Sequence, residues 1–155
     1  MLKDDTRDSG PMMSTREAPL QALTPDQLEW KEHTVIPGVS FADPDHEPAM
    51  TAYVEGDVAS EAIRVQLAKY PAGMSAEPHM HPCAERVFVI RGSVNVILGE
   101  GGMESAKNYP AGSYLSWPAF VRHVVFTTES AEVLVMQYGP YTPLPATPLE
   151  GAKRP

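Results

Sequence analysis

Residues 73 to 92 read Gly73-Met74-Ser75-Ala76-Glu77-Pro78-His79-Met80-His81-Pro82-Cys83-Ala84-Glu85-Arg86-Val87-Phe88-Val89-Ile90-Arg91-Gly92. The run from Arg86 to Arg91 is β-branched and aromatic, the composition of a strand, and Gly92 reads as a tight hairpin leading into Ser93–Leu98. Ahead of it, His79 and His81 stand two residues apart, so on an extended chain both imidazoles project to one side. A short turn through Pro82, Cys83 and Ala84 brings the chain back, and Glu85 on the next strand aims inward beside them. The pattern Gly-x5-His-x-His-x3-Glu-x6-Gly therefore predicts two imidazoles and a carboxylate inside a β-structure.

Working outward, the neighbouring signals are also β-type. Ala62 to Tyr70 alternates apolar with polar, as a half-buried strand does, and Pro71-Ala72-Gly73 ends it. Tyr114 to Trp117, Arg122 to Thr128 and Ala131 to Tyr138 supply further strands, with Gly99 to Ala106 as a loop. Thr24-Pro25-Asp26-Gln27 has the form of a capping box and predicts one short helical turn up to Trp30, which packs on the domain. With no long helical pattern and no internal repeat, the class is all-β, a sandwich or jelly roll. The expected organisation is a flexible arm over residues 1–22, a barrel domain over 23–142 and a Pro-rich tail over 143–155. Met12 and Met13 are alternative starts within the arm.

A second cluster, Gly112-x5-Pro118-x-Phe120-x2-His123, follows. His123 opens a strand and is expected to close the ring of ligands from the opposite sheet. Three neutral imidazoles and one carboxylate suit one divalent transition ion, Fe(II), Mn(II), Co(II), Ni(II) or Zn(II), and do not suit Ca(II) or Cu(I). The metal ligands expected are thus His79, His81, Glu85 and His123, with Glu85 also a possible base. A dication with one carboxylate leaves a site charge of about +1, which favours a ligand chelating through an enolate, a carboxylate or a hydroxy-keto pair.

Bulk properties narrow the partners. The net charge of -8 argues against nucleic acid and against an anionic membrane surface. No stretch approaches the roughly 20 apolar residues that span a bilayer. Cys83 is the sole cysteine, which excludes an intramolecular disulfide and suits a reducing compartment. With no apolar h-region at the N-terminus, the expected location is the cytoplasm. Two strands are apolar on both faces, Val87 to Ile90 and Val133 to Met136. An antiparallel sheet wetted on one side does not read so, and a homodimer or the chain's own arm is expected to cover the outer face.

The two clusters resemble the conserved motifs of the cupin superfamily, over roughly residues 60 to 138. Pro110-Ala111-Gly112-Ser113-Tyr114 and Gln137-Tyr138-Gly139-Pro140 resemble a subgroup of small stand-alone bacterial cupins. That subgroup is similar to the cupin domain of a zinc-binding anti-sigma factor and, more distantly, to acetylacetone dioxygenase. The resemblance implies a double-stranded β-helix with a metal inside the barrel and frequent dimers, and its ligands fall on His79, His81, Glu85 and His123. Two positions depart from the pattern: Phe120 stands where the family has Gly, so another turn type is expected, and Thr127 where it often has Asn. Acetylacetone dioxygenase holds iron with histidines alone, so Glu85 weakens a direct transfer of that activity.

Function is expected to be enzymatic, an oxygenase acting on a small chelating organic molecule. The rivals are a non-catalytic metal- and ligand-binding or sensory module, and an isomerase or lyase using the ion as a Lewis acid. Tyr114, Trp117 and Phe120 are candidate substrate contacts, although Tyr70, Tyr114, Tyr138 and Trp117 are most simply packing residues. Cys83 reads as a small buried residue in preference to a fifth ligand or redox sensor. Arg86 and Arg91 are expected to face solvent or a partner, Met74 and Met80 to fill the pocket wall or core, and His33 and His46 to be exposed.

Overall fold

The structure is a computed structural model and describes residues 22–33, 47–57, 59–139, 142 and 144–146. The β-rich runs form two antiparallel sheets. In chain order the strands are β1 (Lys31–Glu32), β2 (Met50–Glu55), β3 (Ile63–Tyr70), β4 (His79–Met80), β5 (Ala84–Arg91), β6 (Ser93–Leu98), β7 (Lys107–Pro110), β8 (Tyr114–Trp117), β9 (His123–Phe126), β10 (Ala131–Tyr138) and β11 (Leu144–Pro145). The larger sheet runs β1-β2-β3-β10-β5-β8 and the smaller β11-β4-β9-β6-β7. This is the jelly-roll arrangement the alternating runs predicted.

Alternation along the strands sorts the side chains between two faces. In the larger sheet, Val133 on β10 lies opposite Ala68 on β3 and Val89 on β5. These three, with Val87, Val135, Leu115 and Trp117, pack against Val94 and Val96 of the smaller sheet to make the core. Farther along the same strands, Gln137 lies opposite Arg64 and Glu85, and Glu85 opposite Trp117. The inner face therefore changes from apolar to polar along its length. Arg64, Gln137 and Glu85, which make that polar row, are buried, as is the adjoining Trp117.

On the outer face, Tyr114, Phe88, Leu134, Leu67 and Ala52 form a continuous apolar row across β8, β5, β10, β3 and β2. Phe88 is 41% exposed and Ile90 is also exposed. Beside the row, the Arg86 guanidinium lies 4.5 Å from the Tyr138 ring, and Arg91 reaches Glu132 at 3.8 Å.

Three expectations change. Gly92 makes no hairpin: β5 belongs to the larger sheet and β6 to the smaller, so the chain crosses between sheets there. Gly92 has φ +68°, and a Cβ at this position would meet the Ser130 carbonyl oxygen at 2.1 Å, so the corner requires glycine. A hairpin and a sheet-to-sheet corner carry the same local signal, a sharp reversal between two β-runs. The tail, read as irregular, supplies β11, whose Leu144 and Pro145 lie opposite Met80 and His79; Ala146 N–H donates to Pro78 O at 3.1 Å. Pro145 is compatible because β11 is an edge strand. The N-terminal turn is a single 3-10 turn over Pro25–Gln27, with Thr24 N–H donating to Gln27 Oε1 at 2.9 Å. Trp30 then rests against the Lys69 ammonium, 4.0 Å from its ring. Residues 1–21 of the arm and His46 lie outside the described residues. Among the described residues no helix is long and apolar enough to cross a membrane.

Candidate metal centre

Sheet register assembles the three histidines. His79 on β4 lies directly opposite His123 on β9, and His81 follows β4 two residues later on the same side. His123 thus shares the smaller sheet with His79 and does not come from the opposite one; the group contributed by the facing sheet is Glu85. The ring centroids are 4.2 Å apart for His79–His123, 5.0 Å for His81–His123 and 6.1 Å for His79–His81. One ring nitrogen from each of the three buried residues lies within 4.8 Å of the others.

The outer ring nitrogens fix the tautomers. His79 Nδ1–H donates to Glu77 O at 2.8 Å, His81 Nδ1–H to Cys83 O at 2.8 Å and His123 Nδ1–H to Val121 O at 2.9 Å. A carbonyl oxygen only accepts, so each Nδ1 carries its proton and Nε2 is left as the ligating atom. Each of these carbonyls lies two residues from its histidine, so the local backbone conformation sets the ring. Metal-binding histidines are oriented by such partners. Cys83 Sγ approaches His81 at Nδ1, 3.4 Å away, on the edge facing away from the site, and so is no fifth ligand.

Glu85 approaches the histidines from β5, although the group whose ligand atoms all lie within 4.8 Å of one another is, among the described residues, His79, His81 and His123. Glu85 Oε2 is 3.2 Å from His81 Nε2 and accepts a hydrogen bond from Gln137 Nε2. Two ligands about 2.1 Å from one ion, at angles of about 90–110°, stand roughly 3.0–3.4 Å from each other, so the pair has the spacing of neighbouring ligands. Burial would push the Glu85 carboxyl up, but the His81 hydrogen bond and charge, with His123 and Gln137, outweigh it and hold it down at about 2. Burial likewise opposes a charge on His81, yet its bonds to Cys83 and Glu85 raise it to about 10. Burial, reinforced by the neighbouring imidazoles, lowers His79 and brings His123 down to about 4, so both are neutral near pH 7. A neutral, lone-pair-bearing imidazole is the ligand form.

A cavity of about 30 Å³ adjoins these groups, lined by His33, Gln66, Tyr70, Met74, His79, Glu85, His123, Val125, Val135 and Gln137. His33, expected to be exposed, is half-buried and forms part of this wall. Its N–H donates to Ala49 O at 2.8 Å, extending the β1–β2 ladder and carrying the ring over the barrel. Burial, then the Arg64 charge, lowers it to about 4. Sequence reading missed it because β1 is too short to show alternation. Met74 lines the cavity as expected.

The three candidate substrate contacts part company. Trp117 faces inward, its ring 4.9 Å from that of His123, and among the described residues its buried Nε1–H has no partner. Tyr114 lies on the outer face opposite Phe88, 56% exposed, and cannot reach the cavity. Phe120 is 60% exposed and its N–H donates to His81 O at 2.9 Å. Contrary to expectation the turn keeps the glycine conformation, with Phe120 at φ 62°. Thr127, where the family often has Asn, donates from Oγ1 to Pro71 O at 2.6 Å.

Two facing antiparallel sheets around a histidine cluster make the cupin fold, and solved structures share it. A proposed acetylacetone dioxygenase from Methylibium petroleiphilum is 18% identical over 96% of this chain and 90% of that one, with a TM-score of 0.64. The polyketide cyclase RemF from Streptomyces resistomycificus is 16% identical over 88% and 89%, at 0.63. The DMSP lyase DddQ from Ruegeria pomeroyi is 19% identical over 81% of this chain and 64% of that one, at 0.61. These likenesses carry the fold alone, and the names of the three denote three different chemistries. No curated protein matches the chain. The chain belongs to the family described as Domain of unknown function (DUF4437), whose model matches residues 10–143.

Proposed function

We propose that His79, His81, His123 and Glu85 hold one divalent transition ion, and that the protein uses it in oxygenase-type chemistry on a small chelating organic molecule. The observation that carries this reading is the common commitment of three imidazoles through Nδ1, which aims three Nε2 atoms at one buried point. When bound, the ion would supply Lewis acidity and, as iron, a place for O2 beside the ligand. The chain's own work is positional. The carbonyls of Glu77, Cys83 and Val121 hold the rings, Gln137 holds the carboxylate, and Met74, Val125 and Val135 keep bulk water from that side of the cavity.

Elemental analysis of gently purified protein, followed by oxygen uptake with β-diketones and catechols, tests the reading. About one ion per chain, with oxygen consumed, is the expected result. No transition ion at all overturns it. The small cavity, with room for roughly two or three water-sized groups, favours a second reading in which the barrel binds metal and ligand without turnover and reports on them. One zinc per chain with no uptake across the panel supports that alternative. Exposure of Tyr114, Phe88 and Ile90 on the outer face supports a homodimer built through the larger sheet. Light scattering at twice the 16.9 kDa chain mass is expected.

A further inference from the structure

We propose that Gln137 reads a hydroxyl on the ligand entering the metal cavity, so that the favoured ligand class is a 2-hydroxy acid or hydroxy ketone, not a chelator without a proton to donate. The inference rests on the metal reading above. Gln137 is 2% exposed and lies opposite Glu85 in the β10–β5 ladder. Its Nε2 donates to Glu85 Oε2. A carboxylate only accepts, so this bond fixes which end of the amide is nitrogen and leaves Oε1 as the end without a donor. That oxygen is buried and, among the described residues, has no hydrogen-bond partner.

The side chain lines the cavity with His33, Gln66, Tyr70 and the ligand side chains. Native interiors satisfy such an atom, so an acceptor stranded beside a ligand-binding space marks where a donor belongs. A 2-hydroxy acid chelates through one carboxylate oxygen and its hydroxyl, and the coordinated hydroxyl keeps a proton to give to Oε1. The space, about 30 Å³, suits a two-oxygen chelating end. A methyl ether of the same acid chelates alike but has no proton to offer. A β-diketonate has none either.

The test uses the full chain loaded with Co(II), titrated with glycolate and with methoxyacetate, and read by the cobalt visible absorption. Each ratio of dissociation constants is divided by the same ratio for aqueous Co(II), which removes intrinsic chelation strength. Wild type is expected to favour glycolate by about tenfold beyond the free ion, as for one hydrogen bond to a buried acceptor. Gln137→Met keeps the length and removes the acceptor, and its corrected ratio should fall to about one. A wild-type ratio of about one, or an unchanged preference in Gln137→Met, overturns the inference while leaving the metal reading intact. If cobalt is not bound by the wild type, the metal reading fails and the inference falls with it. Should Gln137→Met not fold or not hold cobalt, Gln137→Asn withdraws the acceptor by one carbon, and the same ratio decides.

Discussion

Two rows of the same inner face invite comparison. On β3, β10 and β5, one row is Ala68, Val133 and Val89; four residues along each strand the row is Arg64, Gln137 and Glu85. Backbone, register and burial are alike, yet one row is wholly apolar and the other wholly polar. The apolar row contributes to folding by removing hydrocarbon from water. The polar row does the opposite, since buried charge and amide groups cost stability unless every atom is matched. A barrel of this size keeps such a row because something other than folding needs it. On the proposed reading, the difference puts function at one end of the barrel and stability at the other.

The comparison breaks if the two rows fail to separate on mutation. The largest effect expected is at the polar end. His123→Ala removes one ligating nitrogen and should weaken Co(II) or Zn(II) affinity by at least ~100-fold, exceeding the 10–100-fold typical of a supporting partner. The metal-free variant should unfold at about the wild-type urea concentration, because the lost ring was a buried polar group. Competition with a chromophoric chelator measures the first quantity and urea denaturation the second. Val133→Ala is the reciprocal probe. Val133 is fully buried, and truncation should cost about 2 kcal/mol by leaving a cavity, with metal stoichiometry unchanged. Loss of metal in Val133→Ala, or collapse of the fold in His123→Ala, would sink the division of labour.

The strands of the apolar row, and the candidate histidine cluster, were legible in the sequence. Ile63–Tyr70 alternates in sequence, although the phase carrying Arg64 and Gln66 is the one turned inward, and Ala131–Tyr138, apolar on both faces over Val133–Met136, alternates in burial alone. The spacing of His79, His81 and Glu85 needs only the period of a strand to be read. Less local facts were hidden. Whether Gly92 turns a hairpin or a corner depends on which strand finally pairs with β5, which is a property of the whole topology. His33 looked exposed because its two-residue strand has no alternation to read, and only pairing with β2 brings it over the cavity. Tyr114 was a candidate contact because its sequence does not settle which strand face it occupies, whereas strand parity sends it outward with Phe88. Gln137 was legible as part of a motif, but its bond to Glu85 is a cross-strand fact.

The rows should also separate by pH in metal-free protein. His33 and His123 are held down to about 4, chiefly by burial, against about 6.5 in an unfolded chain. Between those values the unfolded chain binds more protons, so stability falls as pH drops from about 6.5 to about 4. Glu85, held at about 2, adds a further loss on the way from about 4.5 down to that value. His81 acts oppositely: raised to about 10, it contributes fully below about 6.5 and loses that contribution as pH rises through 10. Stability should therefore peak near pH 6.5 and decline on both sides, which urea midpoints across the range would follow. Val133→Ala should lower the whole curve without moving its peak, whereas a displaced peak would mean that the apolar row also controls the ionisation of the site.

The smallest expected effect lies at the turn between β8 and β9, where neither row reaches. Phe120 sits at φ 62°, a conformation that costs an L residue about 1–2 kcal/mol relative to the right-handed region. Its ring is mostly exposed, so little packing is lost on removal. Phe120→Gly relieves the strain but enlarges the unfolded ensemble, a penalty of roughly 0.5–1 kcal/mol. The balance favours the variant by about 0.5 kcal/mol, read as a slightly higher urea midpoint with an unchanged slope. Because the Phe120 N–H bonds to the carbonyl of His81, the turn also braces the backbone of that proposed ligand. A variant that gains stability and keeps its metal affinity places the strain outside both rows. A variant that is stabilised but loses affinity would show that the strained turn holds His81 in register, extending the polar end of the barrel to a residue whose side chain never enters it.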